Sequence, residues 1–342
     1  MSYKILVYDT KPYDKEYFEL LKDERFNIKY LDAKLDNQTA YLAKGYDAIC
    51  IFVNEYVDKE IIDILLSFNI KLIALRSAGF NNVDLKYAFN KIHIVRVPAY
   101  SPYAVAEYAM ALLLTLNRKT NKSYIRVREH NFSLIGLTGF DLKNKTIGVI
   151  GTGKIGRIFI DICLGFGCKV LAYDLFPYQD DRITFTTLEH LYKDSDIISL
   201  HIPLSKETQH LINKNSMALM KDGVYIINTS RGALVNSLDL LNNLKSKKIG
   251  GVALDVYEEE ANLFFEDLSY EIIDDEIITQ LISLPNTLIT SHQAFLTKEA
   301  LTNIVKTTLD NVIEFFEKDT LVNEVCYQCS KKGNCAKKGR CF

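Results

Sequence analysis

The 342-residue sequence lacks an excess of charge of either sign: 41 Lys and Arg residues stand against 43 Asp and Glu residues, and the formal net charge is −2. Proteins that bind nucleic acids or membrane surfaces usually carry a strong basic excess, so this balance argues against both kinds of partner. The sequence also lacks an apolar run of the roughly 20 residues that cross a bilayer, and its N-terminus lacks a signal-peptide layout. We therefore expect a cytoplasmic protein of about two domains, at roughly 150 residues per domain.

Cysteine is present but unevenly distributed. Four of the seven cysteines lie in the tail 326–342, namely Cys326, Cys329, Cys335 and Cys341. The same tail carries five basic residues and no acidic residue. Four cysteines match the ligand count of a structural zinc site, although there is one C-x-x-C pair and no histidine. The alternative is a flexible basic tail with oxidisable thiols. Cys50, Cys163 and Cys168 lie in apolar segments and are predicted to be small core residues in a reducing cytoplasm.

Short apolar runs alternate with amphipathic stretches along residues 1–100, and a second such series runs from Thr146 to about Ile289. Val- and Ile-rich strands separated by helices predict βαβ units in an α/β fold with parallel sheets. Between the two series, Ser101-Pro102 begins a helix to about Asn117 that is apolar nearly all round, which predicts burial between domains or between subunits. A helix over 296–316 could return to the first domain. The predicted domains are then 1–100 plus 296–325, 101–295, and the tail 326–342.

A glycine-rich turn follows the strand 146–150. Gly151, Gly153 and Gly156 form G-x-G-x-x-G between a strand and a helix, the setting in which a helix N-terminus binds the pyrophosphate of a dinucleotide. The next strand ends at Asp174, whose carboxylate can accept hydrogen bonds from ribose hydroxyls and would repel a 2′-phosphate. No arginine follows it directly, which favours NAD over NADP.

Three later apolar runs each end in an ionisable residue: Arg231, Asp255 (with Glu260 beyond it) and His292. Ligands of open α/β sheets bind at the carboxyl ends of strands, so these side chains could converge there. Arginine fits a carboxylate with two prongs, histidine exchanges protons near neutral pH, and a nearby glutamate favours the charged imidazolium. Taken singly, each residue could equally be structural. Together, after a nucleotide-binding turn, they predict reduction of a 2-keto acid.

At these residues the chain resembles the D-isomer-specific 2-hydroxyacid dehydrogenases, and within them the D-lactate dehydrogenases. The resemblance covers about residues 1–324. It is carried by the glycine turn and by five further segments: Arg76 to Asp84, Val97 to Pro102, Asn228 to Gly232, Leu254 to Phe265, and Ser291 to Phe295. It implies two Rossmann-like, doubly wound parallel-sheet domains with a cleft between them, the first domain discontinuous, in a homodimer or higher homo-oligomer.

The resemblance also implies residue roles. Arg231 would bind and polarise the substrate, His292 would donate the proton, and Glu260 would pair with His292. The implied substrate contacts are Ser77, Ala78, Gly79, Tyr100, Arg231 and Phe295. The implied NAD contacts are Gly151, Gly153, Lys154, Ile155, Gly156, Asp174, Ile202, Pro203, Thr208, Thr229, Ser230, Arg231 and Asp255. His201 is interpreted as a structural or cofactor-side residue, and the chemistry needs no metal.

The substrate follows less directly. A long segment, 261–284, separates Glu260 from Pro285, as in the D-lactate subgroup, and the bulky Tyr100 and Phe295 favour a small substrate. The leading prediction is reversible, NADH-dependent reduction of pyruvate to D-lactate. One alternative is a broader enzyme that acts on larger 2-keto acids. A second alternative is a non-catalytic NAD-sensing scaffold, which would have no need of a proton donor.

Overall fold

The structure is a computed structural model that describes residues 2–260, 263–318, 320–328 and 340–341. The described residues fall into two compact units, one drawn from Met1–Ser101 and Leu296–Phe342 and the other from Pro102–Phe295. Cys329 and Cys335 of the proposed zinc set lie outside the described residues. Among the residues that are described, no group of three or more His, Cys, Asp or Glu side chains is arranged to hold a metal ion.

The first unit is built on a five-stranded parallel sheet. Its elements before residue 101 are β1 (Tyr3–Val7), α1 (Pro12–Leu21), β2 (Phe26–Tyr30), a 3-10 turn (Thr39–Ala43), β3 (Ala48–Ile51), α2 (Lys59–Ser67), β4 (Leu72–Leu75), α3 (Leu85–Ala88) and β5 (His93–Val95). The strand order is β2-β1-β3-β4-β5, with parallel pairing throughout. This alternation of strands and helices is the one that the apolar runs and amphipathic stretches of residues 1–100 predict.

The second unit is built on a seven-stranded parallel sheet. Its elements are α4 (Pro102–Arg118), α5 (Thr120–Arg128), β6 (Thr146–Ile150), α6 (Lys154–Gly165), β7 (Lys169–Tyr173), β8 (Thr184–Phe185), α7 (Leu188–Asp194), β9 (Ile197–Leu200), α8 (Lys214–Leu219), β10 (Val224–Asn228), a 3-10 turn (Gly232–Leu234), α9 (Ser237–Lys245), β11 (Ile249–Leu254), α10 (Glu276–Ser283) and β12 (Thr287–Ile289). The strand order is β12-β11-β10-β9-β6-β7-β8. From β6 the chain builds the sheet first toward β8 and then, from β9, toward the opposite edge, and ligands of such sheets bind at this switch point between β6 and β9.

Both faces of the second sheet are buried under helices. Along β10, Ile226 packs in a cluster with Met217 of α8, whereas its neighbour Ile227 packs in a cluster with Leu113 of α4 and Phe159 of α6. Alternate side chains of a strand point to opposite faces, so this is the doubly wound arrangement. The predicted α/β fold with two parallel sheets is confirmed.

Helix α4 is buried, as its apolar sequence predicts. Its side chains, such as Ala109, Leu113 and Leu116, pack inside the second unit with residues of α6 and of the sheet. A helix covered by another helix on one side and by a sheet on the other needs an apolar surface on both. A contact of this helix with a second subunit stays a prediction.

The final helix, α11 (Lys298–Glu317), belongs to the first unit. Thr297 caps its N-terminus by accepting a hydrogen bond from the Ala300 N–H at 3.2 Å. Its residues Leu309 and Val312 are buried in one cluster with Ile5 and Val7 of β1. Within the described ranges, no helix combines the length and apolar character needed to span a bilayer.

Candidate functional site

In the glycine turn after β6, a side chain would clash at Gly151 and Gly156, whereas Gly153 faces open space. A Cβ on Gly151, whose φ is +96°, would lie 2.4 Å from the His201 carbonyl oxygen, and one on Gly156 would lie 2.0 Å from the Gly151 carbonyl oxygen. A Cβ on Gly153 would meet no atom within 4 Å. The first and third glycines therefore allow close packing, while the second faces open space of the kind a phosphate requires.

Gly153 is also the N-cap of α6 and makes no side-chain cap bond. The first N–H groups of a helix have no partner within the helix, and they carry its partial positive charge. Lys154, Ile155 and Gly156 form this first turn, so the chain presents backbone donors and a nearby cation beside the open space. This combination fits the pyrophosphate of NAD.

Asp174, just after β7, is fixed against the same turn. Its Oδ2 accepts hydrogen bonds from the N–H of Thr152 at 2.6 Å and from its hydroxyl at 2.9 Å, and its Oδ1 accepts from the Phe176 N–H at 2.9 Å. Partial burial alone would raise the pKa of this carboxyl group. The bonds from Phe176 and Thr152, with the charge of Arg157, outweigh burial and lower that pKa. The carboxylate is therefore ionised and held in place, as a ribose-binding acid must be.

The remaining predicted cofactor residues lie at the ends of β9 and β10. Thr229 is buried and its Oγ1 has no partner among the described residues, which suits a polar ligand. Thr208 is already engaged, because its hydroxyl donates to the Pro203 carbonyl at 2.8 Å and accepts from the Ser205 N–H at 2.7 Å. It closes the turn that follows Ile202. Ser230 donates its hydroxyl to the Leu200 carbonyl at 2.7 Å, which ties β10 to β9.

Arg231 follows β10 on a backbone that Asn228 holds rigid. The Asn228 side chain donates to the Arg231 carbonyl at 2.8 Å and accepts from the Ser230 N–H at 3.0 Å. A Cβ on Gly232 would lie 2.0 Å from the Tyr257 carbonyl oxygen, so this turn packs directly on the loop after β11. The guanidinium is only partly buried and bonds the Ser230 carbonyl at 2.6 Å, which leaves further N–H donors for a substrate carboxylate.

Asp255, just after β11, is fully buried and holds the loop that carries the histidine. Its carboxylate accepts from the Thr290 hydroxyl at 2.6 Å, the Gln293 N–H at 2.9 Å and the Ala294 N–H at 2.8 Å. Burial raises its pKa despite these donors and the nearby His292. Its backbone carbonyl accepts from the His292 N–H at 2.7 Å, at a residue with a φ of +51°. Asp255 therefore fixes the unusual backbone that aims His292.

The predicted contact between His292 and Glu260 is formed. His292 Nδ1 lies 3.0 Å from Glu260 Oε1, and the Tyr257 N–H donates to Glu260 Oε2 at 3.1 Å. An ionised carboxylate can only accept, so the ring carries a proton on Nδ1, and Nε2 is left to exchange a proton with a ligand. The Phe265 ring lies 6.0 Å from the imidazole, centroid to centroid, and Phe295 is buried.

The other predicted substrate residues belong to the first unit. The carbonyls of Ser77, Ala78 and Gly79 all accept hydrogen bonds, from the Val97 N–H at 3.0 Å, the Arg96 guanidinium at 2.7 Å and the Ser77 hydroxyl at 2.8 Å. The Tyr100 carbonyl accepts from the Asn303 side chain at 2.6 Å. The turn is thus held through its oxygens, as expected of a loop that is to bind a ligand through N–H groups.

Sequence reasoning missed a second histidine–glutamate pair beside the site. His210 Nε2 bonds Glu258 Oε1, and Glu258 Oε2 accepts from the Ser237 N–H at 3.3 Å. Glu258 therefore ties the segment after Thr208 and the start of α9 to the loop that carries Glu260. In the sequence it is one of three consecutive glutamates, and no signal separates it from its neighbours.

His201, after β9, fits the structural interpretation. Its Nε2 lies 2.9 Å from the Ser199 hydroxyl, and its ring lies 4.9 Å from that of Phe159. Its Nδ1 is buried without a partner among the described residues. Burial lowers the pKa of the imidazole to about 3, so the ring is neutral at physiological pH.

Comparison with known proteins agrees with this geometry. The family model for the NAD binding domain of D-isomer specific 2-hydroxyacid dehydrogenases matches residues 110–294. The D-lactate dehydrogenase of Escherichia coli (strain K12) is 46% identical over 327 residues, which cover 94% of this chain and 99% of that protein. A 2-hydroxyacid dehydrogenase homolog of Haemophilus influenzae is 48% identical over 316 residues, or 90% of this chain and 95% of that protein.

Solved structures give the same result. The apo-structure of the Escherichia coli D-lactate dehydrogenase matches with a TM-score of 0.86 at 44% identity, covering 94% of this chain and 99% of that one. A D-2-hydroxyisocaproate dehydrogenase matches with a TM-score of 0.82 at 34% identity, with the same coverage. The family and the cofactor predicted from the motifs are confirmed. With its NAD-binding domain in the second unit, the chain belongs to the D-isomer specific 2-hydroxyacid dehydrogenase family.

Proposed function

We propose that this protein is a D-lactate dehydrogenase, which catalyses the reversible, NADH-dependent reduction of pyruvate to D-lactate. The observation that carries the proposal is the His292–Glu260 pair, held at 3.0 Å. Arg231, Asp255 and His292 follow the neighbouring strands β10, β11 and β12, so they share the carboxyl edge of one sheet. A proton donor and an anion-binding cation at this edge are what reduction of a keto acid requires.

In this proposal Arg231 binds the pyruvate carboxylate through two N–H groups and polarises the keto carbonyl. The Asn228 bonds to residues 230 and 231 fix the backbone that carries Arg231, and the bond from the guanidinium to the Ser230 carbonyl holds the side chain itself. A two-pronged contact fixes the orientation of a planar carboxylate as well as its position, so the keto carbon is presented in one direction.

His292 gives its proton to the keto oxygen from Nε2 as the carbonyl carbon is reduced. Glu260 accepts from Nδ1 and keeps the ring in that orientation, with Nε2 toward the substrate. When bound, reduced NAD supplies the hydride for the keto carbon. The chain holds it through the glycine turn, the first turn of α6 and Asp174, the last of which we propose selects NAD over NADP.

The test is a panel of keto acids, followed through NADH absorbance, with variants of the two central residues. We expect D-lactate from pyruvate, and a kcat lowered roughly 10²- to 10⁴-fold in His292→Gln, which keeps its NADH affinity. Arg231→Lys should lose about 10- to 100-fold in kcat/KM for pyruvate. Exposed His190 of α7 gives the matched control, His190→Gln, which should retain wild-type rates. An active His292→Gln would refute the assigned proton donor.

A broader D-2-hydroxyacid dehydrogenase is the second candidate, favoured by the match to the solved D-2-hydroxyisocaproate dehydrogenase. If 2-ketoisocaproate or phenylpyruvate gives a higher kcat/KM than pyruvate, the lactate assignment is wrong and the family assignment stands. If no keto acid is reduced while NADH still binds, the non-catalytic NAD-sensing scaffold replaces both.

We also propose a homodimer formed through the second unit. Ile125 of α5 and three residues that follow it, Phe132, Leu134 and Ile135, are 54%, 71%, 79% and 84% exposed. The segment folds back on α5, because the Arg126 guanidinium bonds the Ile135 carbonyl at 2.8 Å. An exposed apolar surface held in one place suits a second copy of the chain. Light scattering should show that Ile135→Asp shifts the mass to that of a monomer, while exposed Leu238→Asp on α9 leaves the dimer intact.

A cytoplasmic location remains part of the proposal. The thiols of Cys50, Cys163 and Cys168 are buried and form no disulfide, which suits a reducing compartment.

A further inference from the structure

The segment that precedes the tail 326–342 is hydrogen-bonded to the first unit. Residues 323–325 run antiparallel to the edge strand β5: the Arg96 N–H donates to the Asn323 carbonyl at 3.1 Å, and the Val325 N–H donates to the Ile94 carbonyl at 2.8 Å. Cys326 is the next residue and is 5% exposed. Its position is therefore set by a paired strand segment.

The other described part of the tail, 340–341, is anchored on the same unit. The Arg340 guanidinium lies 4.9 Å from the centroid of the Phe315 ring and donates to the Lys318 carbonyl at 2.7 Å. The Cys341 N–H donates to the Glu324 carboxylate. The other oxygen of that carboxylate lies 2.6 Å from His93 Nδ1 at the start of β5. At these described residues the tail is therefore buried or bonded to the first unit.

These two anchors bring two thiols together. Cys341 is 6% exposed and its thiol forms a hydrogen bond with the thiol of Cys326. Thiols in hydrogen-bond contact need only small rotations to reach the S–S distance of a disulfide. We propose that Cys326 and Cys341 form a reversible disulfide that closes the tail onto the first unit.

The step is thiol–disulfide exchange with a small disulfide such as oxidised glutathione. One thiolate attacks a sulfur of that disulfide, its S–S bond breaks, and one glutathione thiolate leaves. The second protein thiolate then attacks the mixed disulfide, forms the Cys326–Cys341 bond and releases the second glutathione. Two electrons pass from the protein thiols to the reagent, and the two protons pass to the released thiolates.

The surroundings determine how fast the bond forms. Burial and the neighbouring Glu324 carboxylate raise the pKa of Cys341. Because the thiolate is the reactive form, exchange should be slow near neutral pH and faster at higher pH. The closed loop joins residues 326 and 341, and cross-linking a loop of this size restricts the unfolded chain.

The experiment uses the full-length protein, incubated at about pH 8.5 with oxidised or reduced glutathione, then blocked with iodoacetamide and mapped by peptide mass spectrometry. We expect the oxidised sample to contain a Cys326–Cys341 link. We also expect its melting temperature to rise by roughly 5–10 °C. Cys326→Ser and Cys341→Ser should abolish both effects. Cys329→Ser and Cys335→Ser are the matched controls and should retain them.

Three results would overturn the proposal. The first is a link that maps to Cys329 or Cys335 in the wild-type protein. The second is equal rates of oxidation in wild type and Arg340→Gln, since that change removes the contact that docks Cys341. The third is one equivalent of zinc in the purified protein that is lost in Cys326→Ser, which would assign the thiols to a metal instead.

Discussion

We predict that His201 makes the free energy of unfolding depend on pH. His201 directly follows β9. Its backbone carbonyl oxygen would lie 2.4 Å from a Cβ placed on Gly151, so the residue packs against the glycine turn. Its Nδ1 is buried without a partner among the described residues, and burial lowers its pKa from 6.5 to about 3. Between these two pKa values, His201 is therefore protonated in the unfolded chain and neutral in the folded protein.

The sign and size of the effect follow from linkage. Between pH 6.5 and about pH 3 the unfolded state binds one more proton at this site than the folded state, so stability is lost as the pH falls through that window. One proton corresponds to about 1.4 kcal/mol per pH unit. From about pH 7 to about pH 5, His201 should therefore cost about 2 kcal/mol of unfolding free energy.

The assay compares wild type with His201→Gln, whose amide can still meet the Ser199 hydroxyl but takes up no proton. Urea unfolding would be followed by circular dichroism at about pH 7, 6 and 5, because the chain contains no tryptophan for fluorescence. We expect the stability difference between the two proteins to shift in favour of His201→Gln by about 2 kcal/mol across this range. His190→Gln, a change at an exposed histidine, is the control.

A difference that stays constant with pH would refute the reasoning, since it would mean that His201 titrates alike in the folded and unfolded chains. A shift of the same size in His190→Gln would also refute it, because the effect would then not depend on burial.

Further predictions concern the glycine turn and the second histidine–glutamate pair. Gly156→Ala should cost about 3 kcal/mol of stability, because its Cβ would lie 2.0 Å from the Gly151 carbonyl oxygen. Gly153→Ala should leave the melting temperature unchanged but weaken NADH binding about tenfold by calorimetry, and equal NADH affinity would contradict the assigned phosphate position. Glu258→Gln and His210→Gln should each lower kcat/KM about tenfold. The double variant should be no worse than the poorer single one, and additive losses would show that the two residues act independently.

Local patterns predicted the elements and the cofactor turn well, because the physics behind them is local. The strand–turn–helix around Gly151 depends on neighbours within a few residues, and the G-x-G-x-x-G spacing states which backbone atoms must approach. The placement of Arg231 and His292 was also predictable, since residues that closely follow a strand of a parallel sheet lie at its carboxyl edge. Their roles stay predictions.

Contacts between loops could not be predicted in the same way. Asn228 reads as the end of a strand, yet its amide bridges residues 230 and 231 and holds Arg231. The carboxylate of Asp255 holds Thr290, Gln293 and Ala294, which no local pattern indicates, while its contact with NAD stays a prediction. The partners of Asp255 lie 35 to 39 residues away in the chain, and only the packed sheet decides which loop meets which.

The loop after β11 shows why three identical side chains in a row can have unequal functions. Glu258 reaches His210 and the start of α9, whereas Glu260 turns back to its own loop at the Tyr257 N–H and reaches His292. The two carboxylates thus hold one short segment to two different neighbours. That segment begins at the buried Asp255, directly after β11. Because Gly232 packs on the Tyr257 carbonyl, the same segment also supports the turn that carries Arg231. The relative position of His292 and Arg231 therefore depends on this loop as well as on the strands that precede them.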